Sequence, residues 1–136
     1  MAYTHTVVVP LDWDGALERT REALAAQGFG ILSEIDVRQT FEAKLGAEAA
    51  EALGEYIILG ACNPGLASRA LSAEPEMGAL LPCNVFVRRA PGAEATTVET
   101  IDPQTMVQLS DSAEVRLVAE DAETRLRAAL ADLTSQ

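Results

Sequence analysis

The segment Tyr56-Ile57-Ile58-Leu59-Gly60-Ala61 is apolar at every position. A strand with one face in water alternates apolar and polar residues. One that is apolar throughout must be covered on both faces, and this reads as a central strand. The remaining segments then have to supply neighbouring strands and covering helices. A chain of 136 residues is long enough to do so as one domain, and residues 1–136 are read as a single domain. Hydrophobic residues make up 49%, so a packed core can offset the ordering entropy without a disulfide or metal staple.

On the N-terminal side, Tyr3 to Val9 is rich in β-branched residues and stops at Pro10, which predicts a strand with Tyr3, His5, Val7 and Val9 on one face. Asp12 or Asp14 can cap the helix that follows, whose stripe is Trp13, Leu17, Thr20 and Leu24, with Gly28 closing it. Ile31 to Val37 predicts a second strand. Ile31, Ser33, Ile35 and Val37 are placed on one face, and Leu32, Glu34 and Asp36 on the other. Asp36 with Gln39 has capping-box spacing for a short helix carrying Phe41 and Leu45 and ending at Gly46. Ala47 to Gly54 extends that helix or forms a loop.

Beyond the apolar strand, Asn63 and Pro64 supply an N-cap and a first-turn proline for a helix to about Ala73, and Glu74 to Gly78 adds a turn. Leu81 to Arg89 and Thr96 to Ile101 read as a β-hairpin turned at Ala90-Pro91-Gly92-Ala93. Asp102-Pro103 repeats the cap-plus-proline signal, and Asp111 with Glu114 suits a capping box. A final helix carries Val115, Val118, Ala122, Leu126, Ala129 and Leu133 on one face. The predicted class is α+β: a two-layer sandwich with a mixed sheet of about five strands and helices mainly on one face.

Charge excludes several partners. Ten Lys+Arg against 21 Asp+Glu give a net charge of −11, which repels phosphate backbones and anionic lipid surfaces, so neither nucleic acid nor a membrane is expected as a partner. No apolar run approaches the roughly 20 residues of a spanning helix. Met1-Ala2-Tyr3-Thr4-His5 carries no basic segment leading into an apolar stretch. The expected location is cytoplasmic, with both cysteines reduced. The single histidine rules out a histidine-cluster zinc site within one chain, and no metal is assigned to the predicted site. Neither a Gly-x-Ser-x-Gly elbow nor a phosphate loop is present. Glu34 and Asp36, on one strand face, are the best-placed carboxylate pair.

The unusual residues sit at two Cys-Asn steps: Cys62-Asn63-Pro64 at a strand end, and Leu81-Pro82-Cys83-Asn84-Val85 at a strand start. The unpaired N–H groups of a helix N-terminus favour negative charge and can activate a thiol such as Cys62. If the two strands are neighbours in like register, both thiols open at the same sheet end. Cys83, alternating with Val85 and Val87, is equally well read as a small buried hydrophobe. Lys44, the sole lysine, is in place to pair with Glu34 or an anionic ligand. His5 reads as a packed or edge histidine, or as a ligand.

These residues also carry a resemblance. Gly28-Phe29-Gly30 through Glu34-Ile35-Asp36-Val37 to Lys44-Leu45-Gly46 forms a first block. Tyr56 through Cys62-Asn63-Pro64 with Ala70-Leu71 forms a second, and Glu74-Pro75, Gly78 and Leu80 to Val85, followed by Asp102-Pro103 and Met106, a third. In this order they resemble the domain-of-unknown-function 302 family. The resemblance implies a small α+β fold and a homodimer, and it brings no reaction or cofactor. The functional expectation is a small-ligand-binding protein for a polar or anionic metabolite. Its pocket is lined by Cys62, Asn63, Cys83 and Asn84, with Glu34, Asp36 and Lys44 close by. No catalytic residue is assigned, and enzyme activity is left open. The alternatives are cysteine-based redox or soft-metal binding, for example of Cu(I), and haem or metal binding through His5.

Overall fold

The computed structural model describes residues 2–134; Met1, at which the leader reading begins, lies outside them. The elements follow in the order β1 (Thr4–Val9), α1 (Trp13–Ala26), β2 (Gly30–Asp36), α2 (Val37–Leu45), α3 (Ala47–Leu53), β3 (Glu55–Cys62), α4 (Pro64–Ala73), β4 (Cys83–Arg89), β5 (Thr96–Ile101), α5 (Gln104–Leu109) and α6 (Ala113–Thr134), with a 3-10 segment at Pro75–Leu80. The five strands form one sheet in the order β1-β5-β4-β3-β2. The all-apolar strand β3 is interior, as its composition demands.

The α+β class and the five strands hold, but the four pairings are all antiparallel where a mixed sheet is expected. The reason is topological. A strand–helix–strand unit gives a parallel pair only when its two strands become neighbours. Here β1 and β2 run in the same direction across α1 yet take opposite edges of the sheet, three strands apart. Every other connection returns the chain beside the strand it has just left.

Local signals act where the residues predict them. Asp12 Oδ1 accepts from the Gly15 N–H at 2.8 Å, Asp36 Oδ1 from Gln39 at 2.9 Å and Asn63 Oδ1 from Leu66 at 3.2 Å. Three details differ. The stretch Ala47–Leu53 is a separate helix, set off from α2 by Gly46 at φ 98°, a conformation that favours glycine. Helix α6 is capped by Ser112, whose Oγ accepts from the Val115 N–H at 3.3 Å; Asp111 lies one residue too early for that bond. In β2 the register shifts between Ile31 and Ser33. The bulge at Leu32 moves Ile31 onto the face of Glu34 and Asp36 and leaves Ser33 and Ile35 on the other.

Helices α1 and α6 pack on one face of the sheet. Val9, Leu59, Val85, Val87 and Val98 from the strands meet Ala16, Ala23, Leu24, Val115, Leu126, Ala129 and Leu133 in one core. The whole predicted stripe of α6 is buried. At roughly 25 cal/mol per Å² of apolar surface, each fully buried Leu or Val contributes about 1.5–3 kcal/mol. Helix α6 is therefore the main clamp on the sheet, and both candidate sites lie against it.

Candidate functional site

Antiparallel registration brings the two Cys-Asn steps together. Ala61 of β3 faces Cys83 of β4, and Cys62 is the next residue along. Both cysteines line one narrow cavity beneath α4 and α6, walled by Phe29, Leu66, Met106 and Val118. Its volume is about 30 Å³, enough for one or two waters by size. A cavity with this apolar lining stays dry, however. Neither cysteine is in a disulfide. Cys83 is 6% exposed; burial, with a smaller contribution from nearby Cys62, pushes its thiol up to about 11. At neutral pH it is a protonated, apolar-packed group.

The other expected pocket residues divide. Asn63 lines the cavity and caps α4. A β-carbon on Gly28, which sits at φ 85°, would come within 3.0 Å of the Asn63 amide nitrogen. The loop before β2 therefore closes over the cap with little space to spare. Asn84 is exposed, on the opposite side of the pleat from Cys83 and Val85.

Glu34, Asp36 and Lys44 are not beside the cysteines. Cys62 pairs with Gly30 at the start of β2, whereas Glu34 and Asp36 pair with Leu59 and Ile57. That is three and five residues back along β3, or roughly 10 and 17 Å at the usual strand rise. Glu34 forms an ion pair with Arg21 of α1, and Asp36 caps α2. Lys44 stands exposed in the last turn of α2, the helix that leaves β2 at its end away from Cys62.

A second group assembles at the same sheet end, two strands away. His5, Val7 and Val9 point toward the helices, as the alternation predicts. The turn leaving β5 places Asp102 beside His5, and α6 adds Glu123 from above. His5 Nε2 lies 3.5 Å from Asp102 Oδ1 and 3.3 Å from Glu123 Oε1. It is buried without a hydrogen-bond partner among the described residues. Asp102 Oδ1 accepts the Gln104 N–H at 2.9 Å, and Glu123 Oε2 accepts from Gln104 Nε2 at 2.7 Å, so one glutamine steadies both carboxylates.

Beside this group a solvent-open cleft of about 440 Å³ runs between β1 and α6. It is lined by Thr4, His5, Thr6, Val7, Arg127, Leu130 and Ala131. As β1 is an edge strand, one side of its backbone has no strand partner among the described residues.

Asp102, Glu123 and Arg127 have no role in the expected pocket. The Asp102-Pro103 signal is legible only as a cap, and Glu123 lies on the charged face of an amphipathic helix. One available signal is that His5 shares a strand face with Val7 and Val9, so an imidazole is aimed into the molecule.

On the opposite face of the sheet, Glu99 of β5 takes a hydrogen bond of 2.5 Å from Arg88 Nε and one of 2.9 Å from Thr6 Oγ1, with Thr4 Oγ1 at 3.4 Å. Burial by itself would raise this carboxyl, but the bonds and the Arg88 charge together hold it below the ordinary glutamate value. Tyr56 and Phe86 stack nearby with centroids 5.9 Å apart.

A family model for the domain of unknown function DUF302 matches residues 5–133 of the chain. Among solved structures, the chain is similar to the crystal structure of an uncharacterized conserved protein DUF302 from Bacillus stearothermophilus. The two are 29% identical with a TM-score of 0.84, over 96% of this chain and 98% of that one. No curated protein matches. No helix among the described residues is long and apolar enough to cross a membrane.

Proposed function

The chain belongs to the DUF302 family, and from that premise we propose that it is a small-ligand-binding protein whose ligand occupies the cleft between β1 and α6. The observation that carries this reading is the contrast in volume, about 440 Å³ in the cleft against about 30 Å³ in the cysteine cavity. Metabolite-sized ligands need roughly 300–1,000 Å³ with a few convergent polar groups. The cleft offers the guanidinium of Arg127 and the outer backbone of edge strand β1, while the hydroxyls of Thr4 and Thr6 turn to Glu99 on the other face of the sheet. A small polar anion is the matching class, with Arg127 as its counter-charge.

The cysteine cavity supports thiol chemistry less well, because one of its two sulfurs is held protonated in apolar surroundings. Two thiols without a disulfide suit a reducing compartment, and the proposed location is cytoplasmic. A homodimer belongs to the same reading. At a net charge of −11, two copies can meet closely only where the surface is near neutral. The sheet face that carries exposed Val8 and Ile35, half-buried Phe86 and the self-neutralised Arg88–Glu99 pair meets that condition.

The test is a thermal-shift panel of small carboxylate and phosphate compounds, run on wild type, Arg127→Ala and Cys62→Ala, with the mass in solution measured alongside. At least one anion should raise the melting temperature of wild type and Cys62→Ala but not of Arg127→Ala. The mass should be twice the 14.4 kDa of one chain. A panel without effect, or a shift that survives Arg127→Ala and disappears in Cys62→Ala, overturns the cleft reading. A mass of one chain overturns the dimer.

A further inference from the structure

We propose that His5, Asp102 and Glu123 form a binding site for a divalent transition-metal ion, with one coordination position open to the β1–α6 cleft. The proposal shares His5 with the cleft but stands on its own geometry. It begins from His5 Nε2, a buried polar atom without a hydrogen-bond partner among the described residues. A buried polar atom left in that state calls for an explanation. The atom is nonetheless aimed at two carboxylate oxygens at 3.3 and 3.5 Å.

Those separations are what coordination demands. Zinc-like ions hold histidine nitrogen and carboxylate oxygen at roughly 2.0–2.2 Å, and two such bonds at a tetrahedral angle leave their donor atoms roughly 3.4 Å apart. All three donor atoms lie within 4.8 Å of one another. An ion between them would use the imidazole nitrogen and neutralise two carboxylates that otherwise repel each other.

The ligands are also positioned from outside the group. Gln104 donates its backbone N–H to Asp102 Oδ1 and its side-chain amide to Glu123 Oε2. The latter bond leaves Oε1 to face His5, which is the way outer groups commonly orient metal ligands. The three side chains come from a strand, a turn and a long helix, elements fixed by the core. They are 21%, 23% and 20% exposed, sheltered but reachable. Arg127 Nη1 is 3.8 Å from Glu123 Oε1, at the point where an anion bound to the ion's fourth position would meet a cation.

One imidazole and two carboxylates select the metal class. The set is too poor in sulfur for Cu(I) and has too few oxygens for Ca²⁺. It suits Zn²⁺, Mn²⁺, Fe²⁺ or Co²⁺. Three protein ligands with a free position is the arrangement of a reactive rather than a closed structural site.

The experiment is titration of EDTA-treated full-length chain with Zn²⁺ by calorimetry and with Co²⁺ by visible absorption. One ion should bind per chain and raise the melting temperature. Bound Co²⁺ should show the visible bands of nitrogen and oxygen ligation without a thiolate charge-transfer band. Affinity should fall at least tenfold in His5→Gln and in Glu123→Gln, and stay unchanged in Cys62→Ala. Glu123→Gln keeps the shape of its side chain and preserves the test should His5→Gln fail to fold. Absence of binding, binding that survives Glu123→Gln, or a thiolate band overturns the site. The two readings fail separately: an anion that still binds the metal-free chain sustains the cleft alone, while metal binding with no anion shift sustains the metal site alone.

Discussion

Two hollows lie at the same end of one sheet, both against α6, and they are built on opposite principles. The cysteine cavity is apolar and narrow, and the polar group at its rim, Asn63, is spent on capping a helix. The His5 corner is open to a cleft, rich in charge, and keeps a buried nitrogen that faces two carboxylates without a hydrogen-bond partner among the described residues. Adjacent residues of α6 serve the two: Ala122 lines the first and Glu123 enters the second. In a protein interior, satisfied groups contribute to stability and unsatisfied ones need an explanation. By that criterion the hollow that is conspicuous in the sequence belongs to the core, and the inconspicuous corner is the stronger candidate for function.

The division can be broken most forcefully by truncating Met106, which is 3% exposed and forms part of the cavity wall. Met106→Ala should cost about 2–5 kcal/mol in urea unfolding and leave metal binding at His5 intact. The enlarged cavity should accept benzene or xenon rather than a polar anion. A cost below about 1 kcal/mol would mean that the hollow is loosely packed and wet, and the contrast with the corner would collapse.

The next largest effect lies at alkaline pH. The folded chain keeps Cys83 protonated up to about 11, while an unfolded chain releases that proton near the ordinary 9.0. Stability from this difference is fully present below pH 9 and is lost as pH rises toward 11. It amounts to roughly 3 kcal/mol at one pKa unit per 1.4 kcal/mol. Tyr56 adds to the alkaline loss, since burial also raises its hydroxyl, so the comparison is between wild type and Cys83→Val. The valine variant should unfold with a visibly flatter alkaline limb. In native wild type a thiol reagent should reach the half-buried Cys62 and leave Cys83 unmodified. Rapid labelling of Cys83 at neutral pH would return it to the list of reactive groups.

These two hollows also mark how far the residues can be read without coordinates. Elements and caps are written in local patterns: alternation in Thr4–Val9, the Asn63-Pro64 start of α4, the periodic stripe of α6. The meeting of the two cysteines is legible only as a condition, that β3 and β4 be neighbours in matching register, and the pairing of Ala61 with Cys83 meets it. Sheet direction is not local. Whether β1 pairs with β2 or crosses to the far edge depends on which edge can still accept a strand, and nothing in α1 encodes that. The bulge at Leu32 escapes for the same kind of reason, since it is defined by its pairing with β3. Glu34 and Asp36 share a face as their spacing implies, but their distance from the cysteines depends on register. The His5 group is the extreme case. Its members stand at positions 5, 102 and 123, each with an adequate local role as strand residue, cap or helix surface. Only the pairing of β1 with β5, which sets Asp102 beside His5, and the packing of α6 over β1, which adds Glu123, bring them together.

The smallest effect is the most discriminating for the residues that were expected to line a pocket. Asn63→Ala removes the acceptor for the Leu66 N–H and should cost about 0.5–2 kcal/mol, the usual worth of an N-cap. Asn63→Ser restores an acceptor of the right reach without the carboxamide. If Asn63 is a cap, serine recovers most of the lost stability, and both variants bind the cleft anion as wild type does. If instead the carboxamide contacts a ligand, serine rescues the fold but not the binding. That single split would move the functional centre back from the β1–α6 cleft to the strand ends of β3 and β4, because a cap has no reason to distinguish the two side chains and a ligand does.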